Sequence, residues 1–478
     1  MSELKRYDEA LIAYDKALAA KPALADAWNG RGNILLEYKR YADALFAYDK
    51  ALGLRPELAH AWNGCGCVFT ELRRFDEAFA AYDRALALEP DLVEAWYGRA
   101  NALVEVKSYD EALAAYGHAL SLQPDLAEAW LGRGNVFADL NRDADALSCY
   151  DQAISLNPNL AEAYFNKSFV KLSLGQYQEG WELYEWRWQA RLARLPKRNF
   201  SQPLWLGAAE LRGKTILIHA EQGLGDCIQF FRYLHLLQAG DYRVLFEAPG
   251  ELIRLLRAQT EGIEFIAKGD GLPHFDFHCP LMSLPLAFGT TLATIPAAIP
   301  YLRADRDKTA AWRARLGEET KKSKPRIGLV CSGKLSLRHE SSIPLASLAP
   351  IISEKAEWHV LQKDIRDRDR EALRELALIK NHSELLDDFA DTAALISQMD
   401  LVISIDTSVA HLTGALGKPL WLLLPFHPDF RWLRDRDDSP WYPTAKLFRQ
   451  TTDGDWHAVV ARVANELKML PAVRAQPA

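Results

Sequence analysis

Two short stretches carry residues whose types and spacing suit chemistry. The first is Val402 to Leu424, VISIDTSVAHLTGALGKPLWLLL, which reads strand, turn, helix, turn, strand. Its first apolar run ends at Ile405, and Asp406, Thr407 and Ser408 follow, any of which can cap a helix. His411 lies one turn on, Gly417 stops the helix, and Pro419 opens the next apolar run. A helix starting off the end of a parallel strand aims free N–H groups and a positive dipole end at the sheet's carboxyl edge, where open α/β sheets bind ligands. Asp406, Thr407, Ser408 and His411 are therefore expected to hold the phosphates of a nucleotide-linked substrate. The competing reading is one more strand–helix–strand unit whose polar residues only cap a helix.

The second stretch is Glu221-Gln222-Gly223-Leu224-Gly225-Asp226, behind the apolar run TILIHA. Gly223 and Gly225 let the backbone turn tightly and approach a ligand, which places Gln222 and Gly225 with the donor-binding set. The third glycine of a dinucleotide fingerprint is missing. Asp226 falls in the first turn of the next helix, where a carboxylate could take a proton from an incoming hydroxyl. Alternatively, it is an Asp favoured there by the helix dipole. A basic run with Lys334, Arg338 and His339, after Ser332-Gly333, could neutralise phosphate charge or be a solvated loop. Pro425 to Pro443, rich in proline and aromatics, suits an ordered loop over a ligand. There Phe426 and Trp432 are read as packing residues before stacking ones.

These loops need strands to aim them. Strands are expected at 215–220, 242–248, 263–267, 275–279 and 300–302, then at 326–333, 358–362, 401–405 and 420–424, with a final helix over about 456–470. That pattern gives two α/β halves, 213–302 and 325–478, joined by a charged helical connector, 303–324. Two such halves imply a cleft faced by strand carboxyl ends.

The chain before them repeats. Trp28, Trp62, Trp96, Trp130 and Tyr164 are 34 residues apart, as are Pro22, Pro56, Pro90, Pro124 and Pro158, and the series from Tyr14 through Tyr48, Tyr82, Tyr116 and Tyr150 to Tyr184. Gly32, Gly66 and Gly134 keep phase, with Ala100 in the remaining slot. This is the tetratricopeptide pattern, a helix pair per unit stacking into a superhelix with a concave groove, over 1–190. Asn29, Asn33, Asn63, Asn101 and Asn135 are expected to line the groove. Amides can pair with a peptide backbone, so they either hold an extended protein acceptor or are ordinary solvated residues. The departing segment GWELYEWRW (Gly180 to Trp188) reads as a cap, its tryptophans as interface core, and 191–212 as a linker.

The bulk composition restricts the field. The 478 residues are 49% hydrophobic and 25% charged, with a net charge of −7, so nucleic acid is not an expected partner. No apolar signal segment or run of about 20 apolar residues occurs, which points to a cytoplasmic chain without a membrane span. Six scattered cysteines read as reduced thiols with no metal site.

The stretches EQGLGDCIQFFRY, GLVCSG…SSIPL, DDFADTAALISQMDLVISIDTSVAHLTGALGKPLWLLLP and DSPWYP resemble bacterial tetratricopeptide-repeat proteins with a C-terminal GT-B glycosyltransferase domain, akin to the ADP-heptose:lipopolysaccharide heptosyltransferases. The resemblance implies a repeat solenoid followed by a GT-B fold of two Rossmann-like halves. It implies that Asp226 is the general base. It also implies that Asp406-Thr407-Ser408-Val409-Ala410-His411 holds the donor diphosphate, with Ser408 where that family has glycine. The family's basic residue three positions before a helix-opening proline falls on Ser341, so that contact is either missing or shifted to Lys334, Arg338 or His339. The layout is also similar to that of protein O-GlcNAc transferases, and some repeat-fused relatives modify flagellin; both imply a protein acceptor.

The expectation is an inverting, metal-independent transferase. It would use a nucleotide-sugar as co-substrate, without a separate cofactor, and pass the sugar to a Ser or Thr hydroxyl of a protein held by the repeats. Its rivals are a repeat adaptor with a degenerate transferase half and a transferase acting on a surface glycan.

Overall fold

The computed structural model describes residues 2–191, 198–238, 240–317, 324–333 and 342–469. The chain divides into two compact units, Met1–Lys167 and Ser168–Ala478.

The first unit is a helical solenoid. A lone helix α1 (Ser2–Ala20) precedes the pairs α2 (Ala25–Glu37) with α3 (Tyr41–Leu54), α4 (Ala59–Glu71) with α5 (Phe75–Leu88), α6 (Val93–Glu105) with α7 (Tyr109–Leu122), and α8 (Ala127–Asp139) with α9 (Asp143–Leu156). The next helix, α10 (Ala161–Ser173), crosses into the second unit. The repeated residues explain the stacking. Tyr48 is wedged between its own pair and the next: a Cβ on Gly32 would stand 2.5 Å from its ring, and one on Gly64 2.3 Å. Tyr82 is held the same way by Gly66 and Gly98. Each of Trp28, Trp62, Trp96 and Trp130 donates its indole N–H to the carbonyl of the proline six residues earlier, fixing the inter-repeat turn.

The second unit opens with α11 (Tyr177–Tyr184) and a 3-10 turn, Glu185–Trp188. The first α/β half follows: β1 (Thr215–His219), α12 (Leu224–Phe230), α13 (Arg232–Leu237), β2 (Arg243–Ala248), α14 (Gly250–Arg257), β3 (Ile263–Ala267), β4 (Phe277–Pro280) and α15 (Leu284–Ala287). Its all-parallel sheet has the order β3-β2-β1-β4. After α16 (Arg306–Leu316), the second half comprises β5 (Arg326–Val330), β6 (Glu357–Val360), α17 (Asp367–Glu375), β7 (Ile379–Asn381), α18 (Phe389–Ser397), β8 (Leu401–Ile405), α19 (Ser408–Ala415), β9 (Leu420–Leu424), β10 (Ala445–Arg449) and α20 (Trp456–Met469). These six parallel strands run β10-β9-β8-β5-β6-β7. Read from β7 and counted within the half, that is third, second, first, fourth, fifth, sixth, the doubly wound order. The order reverses between β5 and β8, and a ligand crevice belongs at the carboxyl ends of that pair.

The strand expected at 300–302 is absent. Tyr301 and Leu302 send their N–H groups to the Ala415 carbonyl, 3.1 and 3.2 Å away, so this segment caps α19 instead of joining a sheet. Strands β7 and β10 are additional to the expected set. Ile379-Lys380-Asn381 is too short and polar to show an alternation, and Ala445–Arg449 lies close behind a proline-rich loop.

Candidate functional site

Both expected loops leave the carboxyl edges of parallel strands. After β1, Gly223 caps α12, and Asp226 accepts the Gly223 N–H through Oδ2 at 2.8 Å. After β8, the Thr407 hydroxyl caps α19 by accepting the Ala410 N–H at 3.4 Å. The first-turn N–H groups of Ser408 and Val409 have no acceptor within their own helix, as at any helix start.

The two loops meet. A Cβ on Gly225 would lie 2.8 Å from His411 Cδ2 and 3.5 Å from Ser408 Cα, so glycine is what lets the helix starts touch. Gly225 is thus a contact between the halves. Gln222 turns away, donating Nε2–H to the Tyr184 hydroxyl at 2.5 Å. Ser332 and Gly333, at the end of β5, border the same turn: a Cβ on Gly333 would stand 3.1 Å from Thr407 Cγ2. Gln362 holds that segment by accepting the Cys331 N–H at 3.0 Å and donating to Ser332 Oγ at 2.7 Å. Lys334, Arg338, His339 and Ser341 lie outside the described residues.

A cation that sequence reasoning missed sits at the centre. Arg431, 6% exposed, donates Nη2–H to Asp226 Oδ1 and pairs through Nη1 with Asp429 Oδ1 at 2.6 Å. Its guanidinium lies over the rings of Phe430 and Phe230, 4.7 and 5.8 Å from their centroids. Its Nε–H, also buried, has no acceptor among the described residues. Burial alone would lower the Arg431 guanidinium, but Asp429 and Asp226 raise it above its ordinary value. Burial, with the charges of Asp406 and Asp226, pushes the Asp429 carboxyl up against the pull of Arg431. Asp406 goes the other way. Its burial is outweighed by His411, Trp432 and Arg431, which hold it below the usual carboxylate range. The only sequence signal for Arg431 is its place in a long aromatic loop, where Arg434 and Arg436 accompany it and it looks like any solvated arginine.

The remaining polar contacts orient His411. Nε2 faces Asp406 Oδ1 at 3.5 Å, and Nδ1 is 3.0 Å from the Tyr442 hydroxyl. Trp432, fully buried, stacks on the imidazole with centroids 5.5 Å apart and donates Nε1–H to Asp406 Oδ2 at 2.8 Å. Trp432 is therefore a packing residue that also aims the acid. Among the described residues, no group of three or more His, Cys, Asp or Glu is arranged to hold a metal ion.

The cap supports the loop after β1 and the aromatic loop after β9. Tyr184 receives Gln222, and Phe430 packs edge-on against Trp181, centroids 5.6 Å apart. Arg187, fully buried, pairs with Glu221 Oε1 at 3.2 Å and donates to Ser283 Oγ at 2.7 Å. Arg232, from the FFRY run, donates to the Trp441 carbonyl at 2.8 Å and latches the two halves. A cavity of about 450 Å³ lies beside Arg232, His235, Gln259 and Tyr301. It does not include the carboxylate cluster, and Arg232 is already satisfied by the Gln229, Pro296 and Trp441 carbonyls and the Tyr301 hydroxyl.

In the solenoid, Asn33, Asn101 and Asn135 occupy one slot, with Cys67 between the first two. Their Oδ1 atoms accept from the hydroxyls of Tyr48, Tyr116 and Tyr150 at 2.8, 2.5 and 3.0 Å. Asn101 also bonds the Tyr97 hydroxyl, and Asn135 Oδ1 accepts a second bond, from Asn166 Nδ2–H at 2.8 Å. Asn29 and Asn63 occupy a different slot, and their enclosed Oδ1 atoms have no hydrogen-bond partner among the described residues.

The first unit is of the tetratricopeptide class. Residues 25–58 and 127–160 match the tetratricopeptide repeat model, 66–107 and 100–141 a TPR repeat model, and 149–182 a further tetratricopeptide repeat model. Over 328 residues the chain is similar to Protein FlbA of Caulobacter vibrioides, at 29% identity, covering 63% of this chain and 54% of that protein. The chain thus spans about half the length of the curated relative it matches. Among solved structures, it is similar to YrrB, described as a TPR protein with an unusual peptide-binding site (24% identity, TM-score 0.30, 36% of this chain and 90% of that one). It is also similar to yeast Tom70 (22% identity, TM-score 0.33, 38% and 39%). Among the described residues no helix is long and apolar enough to cross a membrane.

Proposed function

We propose that the second unit is a glycosyltransferase of GT-B type, moving a sugar from a nucleotide-sugar to an acceptor hydroxyl. One observation carries this reading. Asp226 and the Asp406–His411 turn, from the carboxyl edges of two separate parallel sheets, converge on one buried charged cluster. In this scheme the acceptor oxygen attacks the anomeric carbon opposite the nucleotide, and Asp226 takes the hydroxyl proton. The bond from the anomeric carbon to the phosphate oxygen breaks with its electron pair on the nucleoside diphosphate. The N–H groups at the start of α19 and His411 meet that charge. The repeats supply the partner side: a polypeptide lies on the face bearing Asn33, Asn101 and Asn135 and offers a Ser or Thr.

The test is turnover over a panel of nucleotide-sugars with and without candidate acceptor proteins. Asp226→Asn is expected to abolish transfer, and retained turnover would refute the base assignment.

A second reading, a non-catalytic adaptor, is favoured by one fact. Both Asp226 oxygens already have partners, Gly223 N–H and Arg431. Absence of binding and turnover with every donor would select it.

A further inference from the structure

We infer that Arg431 is the cation that receives the donor's diphosphate, and that in doing so it exchanges Asp226 for phosphate and frees the base. The inference rests on the transferase reading. A guanidinium matches phosphate oxygens in a two-pronged geometry, and a buried one does so most strongly. Arg431 is buried against two phenylalanine rings, at the meeting point of the loop ending in Asp226 and the arm carrying Asp429. Its Nε–H is enclosed without an acceptor among the described residues, so Asp226 and Asp429 do not complete its hydrogen bonding. It faces more carboxylates than it can neutralise. Asp226 and Asp429 touch it, and Asp406 lies close enough for its charge to be felt.

Exchange of one of these partners for a phosphate oxygen is therefore local, and Asp226 is the partner to give up. Asp429 caps the 3-10 turn Phe430–Trp432 that carries Arg431 and accepts the Arg431 backbone N–H at 3.1 Å, so it travels with the arginine. Asp226 belongs to the other half and keeps its second bond to Gly223 N–H after release. The released oxygen is then available to the acceptor proton, which makes donor binding precede deprotonation. At the transfer step the proton goes to Asp226. The electron pair of the broken bond stays on the diphosphate, against Arg431.

The experiment is titration of the full chain with ADP, UDP and GDP, read by calorimetry. It uses wild type, Arg431→Met, Arg431→Lys, Asp226→Asn and the Arg431→Met/Asp226→Asn double variant. The double variant leaves no unpaired Asp226 and keeps the test readable if the single arginine variant does not fold. The preferred diphosphate is expected to bind about tenfold or more weakly to both methionine variants. It is expected to bind a few-fold more tightly to Asp226→Asn, because the competing carboxylate is gone. Equal binding to wild type and the double variant overturns the role of Arg431 while leaving the transferase reading in place. Unchanged or weaker binding to Asp226→Asn overturns the exchange. If no diphosphate binds wild type, the diphosphate role of Arg431 falls, and turnover over the full donor panel then decides the transferase reading.

Discussion

Trp441 donates its indole N–H to the Tyr177 hydroxyl at 2.9 Å, across 264 residues of sequence. Both rings are buried, and their centroids lie 6.0 Å apart. Trp441 precedes Tyr442, whose hydroxyl reaches His411, so a helix beyond the main repeats helps set the imidazole. Tyr177→Phe should remove one buried hydrogen bond and lower stability by about 1 kcal/mol. Trp441→Ala should cost roughly 3–5 kcal/mol through the cavity it leaves. Denaturant unfolding of both variants checks this, and equal losses would contradict it.

In the solenoid, Gly98 lies against Tyr82 with no room for a side chain: a Cβ would stand 2.8 Å from the ring. Ala100 shows that the neighbouring slot tolerates a methyl, since it replaces the glycine of the other units. Gly98→Ala is expected to destabilise by about 1–3 kcal/mol through overpacking. Ala100→Gly should lose about 1 kcal/mol through helix propensity alone. A Gly98→Ala protein as stable as wild type in a thermal melt would sink the wedge account.

Burial pushes the Glu221 carboxyl up from 4.5 to about 7, even with Arg187 beside it. The folded chain therefore holds a proton that the unfolded chain releases at lower pH. Stability from this group is present below about pH 4.5 and lost as pH rises through 7, on the order of 3 kcal/mol in all. His219 and His359 run oppositely, because burial lowers each to about 3. Their contribution is present above pH 6.5 and lost as pH falls toward 3. Glu221→Gln should thus raise the melting temperature at pH 8 more than at pH 5. The same gain at both values would dismiss the buried proton.

Truncating Asn33, Asn101 and Asn135 together to Ala should weaken acceptor-protein binding while leaving nucleotide binding alone. Tyr116→Phe, which frees the Asn101 carbonyl, should have a smaller effect in the same direction. Fluorescence anisotropy with a labelled acceptor measures both, and unchanged affinity in the triple variant would reduce these amides to solvated residues.

Much of this architecture was legible because it is periodic. Recurrence of Trp, Gly, Tyr and Pro in register specifies the helix pairs, and continuous apolar runs such as Leu420–Leu424 mark fully buried parallel strands. Asp226, Asp406 and His411 were readable because each stands at a fixed offset from a strand end. Arg431 was not, since its role depends on Asp226, 205 residues earlier, which no local pattern encodes. Gln222 misled for a related reason. Its position beside a glycine turn suggested a ligand, whereas its side chain reaches a tyrosine of the cap. The segment 300–302 failed as a strand because an apolar tripeptide opening on proline fits a helix cap equally well.

Tyr184 is the last of the tyrosines spaced by 34 residues. For Tyr48, Tyr82 and Tyr116 that ring meets a glycine of the following pair, Gly64, Gly98 and Gly132. Here its hydroxyl receives Gln222 and its ring meets Phe430. The position that would otherwise be filled by another copy is filled by loops of the α/β unit. This makes the joint modular in a genetic sense. Adding or removing whole 34-residue blocks upstream would change the length of the solenoid while the residues that hold Asp226 and Arg431 keep the same neighbours.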